Sequence, residues 1–305
     1  MSFISVNETQ LARDLWPEGI GRPTTDQAHL KDLPSWKVVP ATYEGLCQWV
    51  CIDREDGQTS PKVLVHPDHH DTERKEVTLR IQGIVAESNL IALGNWNGDV
   101  QHAPKAVQSL TLTGGSCKDV LDAQQHALAN IRELILKLLC LPPSIQRHGK
   151  REIALRRRVF TKVQATSTCK PTLTLTAQDD PLGRAAKIAH MWSVDHRVVV
   201  GIQREDGAIV RANPLVIRRG DLVDVAVTIE VVTMRARKAR RTDILFCPQE
   251  VVRLVSAANM TARFLKPVSN RALGAPLAAR RPSGVVSGFE FVEDGHEGME
   301  VSPSA

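Results

Sequence analysis

Aromatic residues are scarce in this chain. Five Trp, six Phe and one Tyr supply only 4% of 305 residues, so a core has to be assembled from Val, Leu, Ile and Ala, whose β-branched members favour strands. Long apolar runs are missing too: charge breaks each one well before the ~18 residues of a membrane helix, so no membrane partner is expected. Residues 1–14 lack the basic start and apolar stretch of a secretory signal. The six cysteines, Cys47, Cys51, Cys117, Cys140, Cys169 and Cys247, show no disulfide-framework spacing. Reduced thiols in a cytoplasmic or nuclear protein are the expectation. No phosphate-cradling loop is present, because Gly114-Gly115-Ser116 lacks the following Lys. With no cofactor fingerprint and no nucleophile beside a base, neither a cofactor nor a catalytic residue is assigned, and a non-enzymatic role leads.

What is present is a globular composition with an uneven field. Apolar residues at 42% and charged residues at 24% can fill a core and clothe it. The net charge of +5 hides three blocks: residues 1–150 carry 15 Lys/Arg against 18 Asp/Glu, 151–282 carry 24 against 11, and 283–305 carry five acids and no base. The middle block, at +13, is the part that would draw an anionic partner.

The apolar pattern predicts an α+β chain in which β dominates. Residues 1–40, broken by four prolines, read as an irregular arm anchored by Trp16 and Trp36. A first β-rich unit, 41–143, holds strand-like runs at Leu46–Ile52, Val63–Val65, Val77–Val85 and Val107–Thr113. It ends in a long amphipathic helix, 116–140, in which Leu121, Leu128, Ile131, Leu134, Ile135, Leu138 and Leu139 recur at helical spacing. Ser116 with Asp119 would cap the helix, and Pro142-Pro143 would stop it. A second, basic β-rich unit, 151–266, carries strand patterns at Val159–Val163, Leu173–Leu175, Arg197–Gln203 and Leu222–Thr233, the last followed by a charged loop and a return strand at Ile244–Phe246. Either unit could be a small barrel. Residues 267–305 have no repeating apolar pattern and read as a disordered, acidic-ended tail. Ile52–Gly57 and Ile202–Gly207 echo each other, as two related β-units or a recurring Asp-Gly turn would.

Two basic groups are the candidate functional residues. Arg235, Arg237, Lys238, Arg240 and Arg241 place five cations in seven residues, and Arg156-Arg157-Arg158 form a second run. On one exposed face they would grip the phosphates of DNA or RNA; separately, they are solvated charges guarding a sheet edge. The alternative function is an assembly module, either a homo-oligomer or a basic surface docking an acidic partner such as the chain's own tail. A metal-dependent enzyme built on His66-Pro67-Asp68-His69-His70-Asp71 ranks third, since an exposed loop explains that cluster as well and no second ligand motif accompanies it. Cys47 and Cys51 suit one face of a strand better than a zinc site.

The stretch Asn213-Pro214-Leu215-Val216-Ile217-Arg218-Arg219-Gly220-Asp221-Leu222-Val223-Asp224-Val225 resembles one that recurs in a family of proteins from mushroom-forming (basidiomycete) fungi. The resemblance covers about residues 197–256. It implies a repeatable β-unit and no catalytic chemistry.

Overall fold

The computed structural model describes residues 1–17, 20, 30–54, 61–69, 75–142, 151–163, 173–236, 239–264 and 289–292, with backbone alone for 234–236, 239–241 and 261–264. In chain order the strands are β1 (Ser2–Ile4), β2 (Val38–Val39), β3 (Val50–Asp53), β4 (Lys62–Val65), β5 (Thr78–Asn89), β6 (Val107–Thr113) and β7 (Ile153–Arg158). They continue as β8 (Thr161–Lys162), β9 (Trp192–Ser193), β10 (Val199–Gln203), β11 (Ile209–Arg211), β12 (Leu222–Ala236), β13 (Ala239–Val255) and β14 (Phe291–Val292). The helices are α1 (Tyr43–Trp49), α2 (Lys118–Leu138), α3 (Arg184–Ile188) and α4 (Ala257–Phe264). The architecture is α+β with β dominant, and the one long helix lies between β-rich regions. No described helix is long and apolar enough to cross a membrane.

Strands from both halves of the chain enter one ten-stranded sheet, in the order β14-β11-β10-β13-β12-β5-β1-β2, with β6 on β5 and β7 on β6. The seam between halves is the antiparallel pairing of β5 with β12, from Thr78↔Thr228 to Ile84↔Leu222. Strand alternation splits this seam into two faces. Leu79, Ile81, Val223, Val225 and Val227 lie on one face and share a core with Ile131, Leu134 and Ile135 of α2. Arg80, Gln82, Asp224 and Ala226 occupy the other, where Arg80 Nε and Gln82 Nε2 donate to Asp224 Oδ2 at 2.7 and 2.6 Å.

The expected helix over 116–140 is present, but Ser116 does not cap it. Cys117 takes the cap position with no side-chain hydrogen bond, and Asp119 is the acidic residue of the first turn. Midway, Gln124 acts as a short substitute strand: its Oε1 accepts from Gln82 N at 2.8 Å and its Nε2 donates to Gln82 O at 2.8 Å. Gln124→Leu strands both buried backbone groups and should cost about 1–3 kcal/mol, read as a fall in the urea midpoint at unchanged slope.

Three expectations need correction. The run Leu46–Ile52 is not all strand: Thr42 Oγ1 accepts from Gly45 N and starts α1, so Cys47 is exposed on a helix while Cys51 sits in β3. Leu173 and Leu175 are extended without entering a strand, packing instead on Phe160 and Val194. The first forty residues supply β1 and β2, and Phe3, Ile4, Leu11 and Trp16 are buried. Ile52 and Ile202 both lie in the first strand of an antiparallel hairpin, β3–β4 and β10–β11.

Candidate nucleic-acid interface

β7 decides what the first arginine run can do. Its sequence Ile153-Ala154-Leu155-Arg156-Arg157-Arg158 alternates buried and exposed throughout, as a strand with one covered face must. Ile153 and Leu155 lie opposite Leu112 and Leu110 of β6, and Arg157 follows them inward, opposite Gln108. The Arg157 guanidinium donates to Pro248 O at 3.3 Å and to Gln249 Oε1, fastening β7 against β13. Burial pushes this guanidinium below its ordinary range, while Cys247, Glu230 and Glu76 pull the other way. Arg157 is therefore corrected from a ligand contact to a structural clasp. Arg156 and Arg158 stand on the opposite, exposed face, across from Ser109 and Val107. Arg156 makes no ion pair with a described residue; Arg158 Nη2 lies 3.8 Å from Glu230 Oε1, both side chains about 40% exposed.

The second basic group lies further along the strand that carries Glu230. Register in β12–β13 is kept to Arg235↔Arg240 and Ala236↔Ala239, so the expected charged loop is largely strand backbone. Arg235, Arg240 and Arg241 are placed by that backbone, and Arg237 and Lys238 lie outside the described residues. Five residues separate Glu230 from Arg235, about 17 Å at ~3.4 Å per residue. The β7 group thus meets the hairpin at Glu230, through Arg158, while the second group lies further along the hairpin, so the two are at different heights rather than at one point. Glu230 also accepts from Cys247 Sγ at 3.4 Å. Burial first, then Glu230, drives that thiol far above its ordinary range, with Arg157 and Arg158 opposing; Cys247 is a core thiol, not a nucleophile.

Beside β7 the structure adds cations that sequence reasoning missed. Pairing of Val107 with Arg158 brings Lys105, two residues earlier, to the same end of β7. Asn95, Asn97, His102, Lys105 and Ala106 line an open polar cleft of about 180 Å³. Asp180 holds the first turn of α3, accepting from Arg184 N at 2.9 Å and Ala185 N at 2.7 Å, and Arg184 Nη1 reaches back to Asn97 O at 3.3 Å. Gly98, at φ +91, allows this: an added Cβ would meet the Arg184 side chain at 2.7 Å. Only the long-range β6–β7 register joins Lys105 to the arginines, so no local signal could have found it.

His66 Nδ1 lies 3.4 Å from Asp68 Oδ2, with Asp68 84% exposed, and His70 and Asp71 fall outside the described residues. Among the described residues no group of three His, Cys, Asp or Glu is placed to hold a metal ion.

No family model matches the chain, and no curated protein matches it. Among solved structures, a C-terminally truncated single-stranded DNA-binding protein of bacteriophage Enc34 aligns at TM-score 0.30 and 12% identity, covering 68% of this chain and 95% of that one. The same phage protein in complex with single-stranded DNA aligns at TM-score 0.28 and 11% identity, over 68% and 96%. Superpositions this loose establish neither a shared fold nor a shared ligand.

Proposed function

We propose that this chain is a non-enzymatic nucleic-acid-binding protein whose phosphate contacts form one track from β7 to the basic end of the β12–β13 hairpin. Arg156 and Arg158 would grip one end and Arg235, Arg237, Lys238, Arg240 and Arg241 the other, seven contacts in all, while Lys105 and Arg184 add positive field beside β7. The observation that supports this reading is the Arg158–Glu230 contact, which brings the outward face of β7 alongside the strand leading to the hairpin's basic residues. A separation of about 17 Å equals roughly five phosphate steps along one strand of a B-form duplex. Two cationic ends at that distance suit a repeating polyanion better than a small anion. Contacts of this type read charge and spacing, so sequence preference is expected to be slight.

The test is the salt dependence of binding to a labelled 12-nucleotide oligomer, single-stranded and as duplex. Seven phosphate contacts, two from β7 and five from the hairpin, set an upper bound on the slope of log K against log salt. That bound is about −6 for duplex and −5 for single strand. Slopes of about −3 or steeper support the reading; no measurable binding at 50 mM salt removes it.

A further inference from the structure

The free edge of the sheet carries a short strand with properties of its own. β14 comes from the acid-rich end of the chain and, among the described residues, pairs parallel to β11 at two register positions, Ile209↔Phe291 and Val210↔Val292. By contrast, β12 and β13 pair from Leu222↔Val255 through Ala236↔Ala239. What seats β14 is its phenylalanines, not its charge. Phe289, 8% exposed, packs with Ile209, Ala226 and Val252, and the Arg80 guanidinium lies 4.7 Å from its ring centroid. Phe291 lies over Gly201 of β10, where an added Cβ would come within 2.6 Å of its ring and 2.8 Å of Ile209. Arg211 reaches within 5.8 Å of that ring. Glu290 between them is exposed, and Val292 is 50% exposed.

We infer that the β11 edge, with the Gly201 notch and the Phe289 slot, is a receptor site for an extended Phe-acidic-Phe segment of a partner chain. Residues 289–292 occupy it as an exchangeable resident. The recognition chemistry is strand addition. Main-chain pairing to Ile209 and Val210 gives affinity; two ring sites, separated by one outward residue, give specificity. Arg80 and Arg211 favour aromatic rings by cation–π contact, and the outward position suits an acid because no described residue covers it. A segment tethered to its own receptor has an effective concentration near the millimolar range. The resident therefore masks the site from weak partners and yields to tighter or more concentrated ones. This inference stands apart from the phosphate track, which lies on β7 and the far end of the hairpin.

The probe is a fluorescein-labelled peptide of residues 287–294, Ser-Gly-Phe-Glu-Phe-Val-Glu-Asp, titrated by anisotropy against the full chain. The F289A/F291A chain, whose resident cannot compete, should bind it at least tenfold more tightly than the parent chain. Adding G201A to that variant should reverse the gain, and a peptide with both phenylalanines replaced should not bind. Equal binding by parent and variant, or none by a variant with an unchanged melting curve, overturns the proposal. Hydrogen exchange on the parent chain provides a test that needs no variant. The amides of Phe291 and Val292 should exchange at least a hundredfold faster than those of Val223–Val227 in β12. Exchange only together with β12 would make β14 a permanent strand and overturn the proposal.

Discussion

Replacing Asp224 with alanine should destabilise the fold by about 3–5 kcal/mol, the range for removing one partner of a buried ion pair. Asp224 is fully buried near the start of β12, opposite Gln82 at the seam where the two halves of the chain share the sheet. Its Oδ2 receives both Arg80 Nε and Gln82 Nε2. Arg80 is itself 7% exposed and lies between the rings of Phe3 and Phe289, 5.1 and 4.7 Å from their centroids. Alanine leaves that guanidinium between two rings without the carboxylate. Asn at 224 keeps the volume and one acceptor, so D224N should lose less. The double substitution R80M/D224L removes both charges and should recover much of the alanine loss, as buried pairs replaced by apolar side chains often do. Urea denaturation of the four proteins reads this directly, as a midpoint shift at constant slope. A D224A midpoint within 0.5 kcal/mol of the parent would mean the pair holds nothing together.

The second large effect is on binding. Reversing Arg235, Arg237, Lys238, Arg240 and Arg241 to Glu should weaken nucleic-acid affinity by on the order of 10³-fold at 50 mM salt, because five of the seven proposed phosphate contacts turn repulsive. The loss should shrink as salt rises, since screening shortens the reach of the misplaced charge to ~3 Å at 1 M. A loss that is independent of salt would point to damaged folding instead, which a thermal melt of the same protein would reveal.

How much of this was legible in the sequence differs from element to element. The 3.6-residue recurrence from Leu121 to Ile135 gives α2 without ambiguity, and the β-branched run Leu222–Thr233 gives most of β12. Leu46-Cys47-Gln48-Trp49-Val50 has apolar residues at positions that fit either period; only the Thr42 cap, a single hydrogen bond, settles it as a helix. β7 is instructive for function. Its alternation Ile153, Leu155, Arg157 is written in the sequence, but three consecutive arginines invite a reading by charge, and charge says nothing of facing. Once the strand period is applied, Arg157 must turn inward with the leucine, leaving Arg156 and Arg158 outward. Charge alone also makes a loop of Arg235–Arg241, whereas the fifteen-residue β12 carries its register through Arg235. The pairing of β5 with β12, 144 residues apart at Arg80 and Asp224, left no local trace. Neither did the placement of Lys105 and Arg184 beside β7, which depends on strand register and on the Asp180 bonds to α3.

The decisive measurement is the salt slope of the R156E/R158E chain on the 12-nucleotide oligomer, with the hairpin intact. If β7 and the hairpin hold the same strand, losing two contacts lowers the slope's magnitude by about 1.5–2 and weakens affinity at least tenfold at 50 mM salt. A slope and affinity matching the parent chain would place Arg156 and Arg158 off the path of the bound polymer and contradict the single track.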